Sequence, residues 1–300
     1  MIKAEVVADS VALNKNRLTT FVLTYPRFIH SEFMTHRALS RNASSSRAIP
    51  VKKSIQMVVT EPAIPIAFTR NQKGMQGGEA LSGDAHEAAV KIWLEARDAM
   101  VKFAGQLADL EVHKQYANRL LEPFSHITVV ASATEWANFF ALRCDGAAQP
   151  EIHELADQMM AAYHTSNPTI AEPGWWHLPL VSEEDLKMCC AVFGVSCLRD
   201  SKEAQLLAVK RSVAKCARVS YLNHDGTKTT IDQDIELYNR LIGSAPIHAS
   251  PSEHQAMAME RYPEYPRSGN FTGWSQYRKS LPGENIIEFE GVGKWLPDLS

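Results

Sequence analysis

Residues 126–152 read "HITVVASATEWANFFALRCDGAAQPEI". The opening "HITVVASAT" is rich in β-branched residues and predicts a strand. It runs into "TEWANFFALRC", where Trp136, Phe139 and Phe140 recur at helical spacing and point into a core. Pro150 then opens a further helix, "PEIHELADQMMAAYH", with Glu151 in the first turn, favourable against the helix dipole. Packing leaves two residues of this stretch unexplained, Asn138 and Arg143. Arg143 either caps the last carbonyls of its helix or projects from a rigid helix end towards a ligand that becomes anionic.

Working outward, "IKAEVVADSVA" alternates and "RLTTFVLTY" (17–25) is β-branched and aromatic, which predicts two more strands. From Arg27 to Leu39 the apolar residues Phe28, Ile29, Phe33, Met34 and Leu39 form a helical stripe. Helices are also expected from about Ala85 to Leu110, over "HKQYANRLLEP" up to Pro123, over "EAQLLAVKRSVAKCARVSY", and over "DQDIELYNRLIG" with Gly243 as its stop. The proline-bearing "GWWHLPL" region (165–182) reads as a loop or segment boundary. "RNQKGMQGGEALSGD" (70–84) is Gly-rich but follows no strand, so it is no dinucleotide fingerprint. Without regular βαβ alternation or tandem repeats, the pattern predicts an α+β fold, helix-heavy.

The 300 residues, 45% hydrophobic and 22% charged, allow a substantial core. No apolar run nears the ~20 residues that cross a bilayer. The opening "MIKAEVVADS" lacks a secretory pattern, which implies a cytoplasmic protein. A net charge of −3 argues against a general nucleic-acid coat. The cysteines Cys144, Cys189, Cys190, Cys197 and Cys216 make no zinc spacing and read as reduced small hydrophobes.

Residues 35–50, "THRALSRNASSSRAIP", are a serine-rich run that suits a linker and equally an anion-binding loop. Arg37, Arg41 and Arg47 are permanently charged forks fit for bidentate phosphate contacts. "PIHASPSEHQA" places His248 and His254 too far apart for a metal pair. Ser250 there reads as a helix N-cap with Glu253 as its capping-box partner. Arg119 sits on the "HKQYANRLLEP" helix and signals little alone.

Together these segments resemble the flavin-dependent thymidylate synthase family. Its signature R-H-R-x-x-S-x-N-E-x-S-x-R-Y is met here by His36, Arg37, Ser40, Asn42, Ser45 and Arg47, and departed from at Thr35, Ala43 and Ala48. Glu32 stands where a Gln is usual. "NFFALRCDGAAQPEI" is similar to the family's N-F-x-x-L-R…A-Q-x-E-I segment, and "QYANRLLEP" to its Arg-bearing helix. "KCARVSY" and "HASPSEH" resemble A-R-x-S and H-x-S-P-F-E-H, which the family carries before the arginine signature. Here they follow it, so the resemblance implies a circular permutation of one domain spanning 1–300. The signature and arginine-bearing helices would lie in 1–170 and the permuted segment in 200–260.

The resemblance implies an antiparallel sheet with packed helices, a homotetramer with sites between subunits, and reductive methylation of dUMP to dTMP. FAD would be the cofactor, with methylenetetrahydrofolate and NADPH as co-substrates. Carried over, Arg143 polarises the pyrimidine. Glu32, Ser45, Arg47 and Arg119 fall at nucleotide positions, the arginines mainly at the phosphate. Thr35, His36, Arg37, Ser132, Thr134, Asn138, His248 and Ser250 fall at flavin or folate positions, and Ser132 and Thr134 replace the usual Asn and Arg. The departures leave hydroxymethylation, or methylation of another pyrimidine nucleotide such as dCMP, as the runner-up. Outside the family stand a single-strand nucleic-acid module using Trp175, Trp176 and Trp274, and a synthase using Cys144 as nucleophile.

Overall fold

A computed structural model describes residues 1–219, 228–244, 246–261 and 267–285. The alternating N-terminus forms a hairpin of β1 (Lys3–Ala12) and β2 (Arg17–Pro26), with register from Lys3↔Thr24 to Val11↔Arg17 and a bulge between Val6 and Ala8. The predicted strand at 126 is β4 (His126–Ala133), antiparallel to β2 along its whole length. Two short strands complete the sheet, β3 (Ser40–Ala43) on β4 and β5 (Thr169–Ala171) on β1, in the order β3-β4-β2-β1-β5. All these pairings are antiparallel except β1 with β5, which is parallel.

Alternate residues of a strand face opposite sides, and the two faces of this sheet differ in chemistry. Phe21, Leu23, Tyr25, Ile127, Val129 and Ala131 lie on one side, against Ile152, Leu155, Ala156 and Met159 of the helix α6 (Pro150–Thr165). The helices α1 (His30–Phe33) and α5 (Ala137–Arg143) close that core through Phe33, Trp136 and Phe139. The other side presents a row of hydroxyls from Thr20, Ser132 and Ser40, placed opposite one another by register. A second antiparallel sheet, β6 (Trp176–His177), β7 (Ala256–Ala258) and β8 (Trp274–Gln276), supplies His177 and Gln276 to that row.

Around this frame lie α2 (Val51–Thr60), α3 (Gly83–Asp109), α4 (Lys114–Ala117), α7 (Glu183–Val192), α8 (Lys202–Arg218) and α9 (Ile231–Ile242). The α+β class, the strands and the long helices stand as expected. Ser220 and Tyr221 of "KCARVSY" lie outside the described residues.

Several expectations need correction. The helix expected from Arg27 to Leu39 is a 3-10 turn at Arg27–Ile29, the single turn α1, and a non-helical stretch. After α1 the backbone bonds tighten to the three-residue spacing of Thr35 N–H on Glu32 and His36 N–H on Phe33. Side chains share these carbonyls, Thr35 Oγ1 donating to Glu32 at 2.7 Å and Arg41 to Met34 and His36, both at 2.8 Å. The "HKQYANRLLEP" helix is α4 followed by a 3-10 segment, Asn118–Phe124, containing Pro123, which has no N–H for an α-helical bond. The quoted loop is not all loop, since Ser40–Ala43 is a sheet edge. α2, rich in β-branched residues, was not foreseen. The 165–182 region contains β5 and β6 rather than loop alone.

Candidate active site

Arg143 ends α5, a two-turn helix whose Phe139 and Phe140, with the preceding Trp136, contact one another, Phe33 and Tyr163 edge to face, Trp136 and Phe140 alone being stacked. The guanidinium does not turn back to cap its own helix. It reaches across to the turn after α1, where Nε donates to His36 Nε2 at 2.9 Å and one terminal nitrogen lies 3.4 Å from Thr35 Oγ1. The other terminal nitrogen is 3.6 Å from Glu32 Oε2. Three residues singled out from sequence therefore meet on a fourth.

A guanidinium can only donate, so the accepting His36 Nε2 carries no proton and Nδ1 holds it. Burial lowers the His36 pKa below the ordinary imidazole value, and the positive charges of Arg143 and Arg41 push the same way. His36 also packs edge-on against Phe139 at 4.9 Å, so the aromatic core holds both the helix and the acceptor. The Arg143 side chain stays 20% exposed and that of Glu32 36% exposed.

The serine-rich loop divides into an inward and an outward half. Asn42 donates to the Cys216 carbonyl at 2.6 Å, tying β3 to α8. Ser44 Oγ accepts the Thr128 N–H at 3.1 Å, and Ser46 donates to Glu122 at 2.7 Å. Asn118 takes the Ser46 and Ile49 carbonyls at 2.7 and 2.8 Å. These polar residues are structural. Ser45 is half-buried, and among the described residues its hydroxyl has one bond, accepting the Arg47 backbone N–H at 3.3 Å. Arg37 and Arg47 are exposed, and neither guanidinium has a hydrogen bond or ion pair among the described residues.

Arg119 is not free. It pairs with Glu122 at 2.9 Å, and Arg27 approaches the same carboxylate at 3.6 Å. Glu122 is thus a shared acceptor that sequence reasoning missed. Its three-residue spacing from Arg119 on a helical stretch was the available signal.

Of the remaining expected cofactor positions, Asn138, His248 and Ser250 are exposed, with side chains that form no hydrogen bond among the described residues. Ser250 is not a helix cap. The 3-10 turn Ser250–Glu253 has Ala249 in that place without a side-chain bond, and Glu253 pairs with Arg278 instead of completing a capping box. Thr134 Oγ1 accepts the Thr272 N–H at 3.1 Å.

Ser132 is fully buried in a continuous polar chain. His254 Nδ1 meets Ser132 Oγ at 2.8 Å, Ser132 meets Thr20 at 2.6 Å, Thr20 meets His177 Nε2 at 2.8 Å, and His177 Nδ1 meets Ser10 at 2.9 Å. Burial drives both histidines down to about 3, so both are neutral near pH 7. Ser132, Thr20, His177 and His254 are buried, Ser10 at the end of the chain is half-buried, and the Thr20–His177 bond joins the two sheets.

The structure also bears on the two readings outside the family. Burial, with Asp157 nearby, raises the Cys144 thiol to about 11, which opposes a thiolate nucleophile. Trp274 is fully buried, and Trp175 and Trp176 are half-buried, so they form no open stacking platform.

The model of the thymidylate synthase complementing protein family matches residues 16–169, just over half of the chain. No curated protein sequence matches. Among solved structures, the chain is similar to a UMP/dUMP methylase PolB from Streptomyces cacaoi bound with 5-Br UMP. Identity is 20%, coverage 54% of this chain and 88% of that one, and TM-score 0.45. The same methylase bound with 5-Br dUMP gives 18% identity, 54% and 90% coverage, and TM-score 0.44.

Proposed function

This chain belongs to the thymidylate synthase complementing protein family, and from that premise we propose that it methylates dUMP to dTMP by reductive one-carbon transfer. Methylenetetrahydrofolate would supply the carbon and NADPH the reducing equivalents, passed through FAD. The observation that carries this reading is Arg143. Its guanidinium is fixed from behind by a neutral histidine, mounted on a helix end in an aromatic core, and left partly open. A preorganised donor that cannot lose its proton is what a pyrimidine needs while negative charge develops on its ring.

The residues present fit FAD in part. Arg37, Asn138, His248 and Ser250 offer exposed polar groups with no side-chain partner among the described residues, suited to a pyrophosphate and a ring edge. Thr35 and His36 would act from behind Arg143. Ser132 does not fit, being buried within the polar chain, and Thr134 already accepts a backbone N–H. FAD, when bound, would supply the electrons that take the transferred carbon to the methyl level. Arg47 and Ser45 would hold the nucleotide phosphate, with Arg119 alongside if it exchanges Glu122 for that anion.

The turn 250–253 packs on β3 and α8, and His254 bonds to Ser132 on β4. The displaced H-x-S-P-x-E-H segment therefore lies against the same sheet as the arginine signature, which supports a permuted chain. Assembly as a homotetramer would bring exposed residues of two subunits into one site.

Two measurements test the reading. The purified protein should show a flavin absorption band that NADPH bleaches. Incubated with dUMP, methylenetetrahydrofolate and NADPH, it should give a product of dTMP mass. A colourless protein, a hydroxymethyl product, or turnover of dCMP alone would overturn it.

A further inference from the structure

The polar chain between the two sheets ends at a cavity that the proposed reaction leaves unused. This cavity, of about 310 Å³, lies against β1 and β5, with Ile170, Trp175, Trp176, Leu178, Leu186 and Leu198 in its lining. Ser10, the half-buried end of the chain, is part of the same wall. The two charged residues of the wall are already matched. Asp9 accepts from Arg17 at 2.9 and 2.6 Å, and Arg199 pairs with Glu172 at 2.7 Å while covering the Trp175 ring at 4.5 Å. The Gln205 amide donates to the Leu198 carbonyl at 3.1 Å. A concave, largely apolar wall with matched charges and one hydroxyl with capacity to spare suits a small uncharged ring.

The chain behind that hydroxyl has a single sense of direction. Ser10, His177, Thr20, Ser132 and His254 are five neutral groups with one proton each, joined by four hydrogen bonds. One proton is left over. In the middle it would be a buried donor without an acceptor, because Thr20 and Ser132 have no other hydrogen-bond partner among the described residues. It therefore sits at an end. On Ser10 Oγ it leaves both histidines with Nδ1–H, and on His254 Nε2, which is buried and unpartnered, it leaves both with Nε2–H. We propose that the cavity binds a neutral, flat heteroaromatic molecule whose polar edge meets Ser10, and that the chain carries this contact through to His254. A ligand acceptor takes the Ser10 O–H and selects the Nδ1–H pair. A ligand donor turns the Ser10 proton towards His177 and selects the Nε2–H pair. Both states keep one proton on each group, so the charge is unchanged, and the imidazoles exchange nitrogens through water during local opening. His254 directly follows the 250–253 turn on β3 and α8, so the contact is read beside the arginine signature.

Quinoline, which only accepts, and indole, which only donates, test this as neutral probes near pH 7. Titrated into the full chain carrying isotope-labelled histidine, each should show nuclear Overhauser contacts to the Trp176 ring. Imidazole nitrogen shifts should report Nδ1–H on both His177 and His254 with quinoline, and Nε2–H on both with indole. Ser10→Ala should weaken quinoline binding by up to about tenfold and abolish the response of both histidines. Thr20→Val, which keeps the side-chain shape and breaks the chain in the middle, should leave His177 following the probe and His254 indifferent to it. Absence of binding by both probes, binding without contact to Trp176, opposite tautomers on the two histidines, the same tautomers with both probes, or a His254 that still follows in Thr20→Val would overturn the proposal.

Discussion

Two arginines, Arg143 and Arg211, show how one side chain serves opposite purposes in this molecule. Arg211 is 0% exposed and lies between Asp185 at 2.8 Å and Asp234 at 3.1 Å, so it joins α7, α8 and α9. Lys215 on Asp185 and Arg218 on Asp234 complete a closed network. Arg143 has a neutral histidine, a distant hydroxyl and a loosely paired carboxylate. Pairing that surrounds a buried cation with two carboxylates makes a joint between helices. Pairing that fixes orientation but leaves charge open makes a site.

Arg211→Met should sharpen this contrast most. It leaves Asp185 with Lys215 alone and Asp234 with Arg218 alone, so urea unfolding should register a loss of about 3 kcal/mol, the low end for breaking a buried pair. Arg143→Ala should do the reverse. Turnover should fall roughly 10²–10³-fold, as for loss of one preorganised donor, while the urea midpoint shifts by less than about 1 kcal/mol. Near-normal turnover would remove Arg143 from the chemistry, and a large stability loss would make it a second Arg211.

The smallest effect concerns the proton on His36. Its folded pKa lies below 6.5, so the neutral acceptor is preserved above that pH. The stability it contributes is complete above the unfolded value and is lost as pH falls through the depressed folded value. Protonation also places a cation against Arg143 and removes its acceptor. Arg41 and Arg143 already oppose that charge, and Glu32 is the nearby carboxylate across Arg143. The pH profile of nucleotide binding should therefore weaken on the acid side, and His36→Gln, which accepts without titrating, should flatten that limb. An identical limb in both proteins would dissociate His36 from Arg143.

Much of the frame was legible in the sequence because it is local. The β-branched run at 126 and the Pro150 start specify β4 and α6 from their own residues. The strand at Ser40–Ala43 was not legible. "SRNA" has no strand propensity of its own and is extended only because β4 offers it an edge. The same limit applies to the site. Arg143 could be named from its helix, but its anchor on His36, 107 residues away, depends on how α5 packs. The burial of Ser132 was not legible for a related reason. A serine in an apolar strand looks available until the sheet that covers it is known, and its partner His254 comes from 122 residues further on.

Phe139 touches Phe33 at 5.7 Å and His36 at 4.9 Å, and Phe33 in turn touches Tyr25 at 5.4 Å. A change in side-chain volume anywhere along that line moves the imidazole that aims Arg143, although Phe33 and Phe139 have no polar group and the Tyr25 hydroxyl is already bonded to His30. Selection on the chemistry of this site can therefore act through residues that look like interior packing, and drift in the core is constrained by the orientation of one guanidinium as well as by stability.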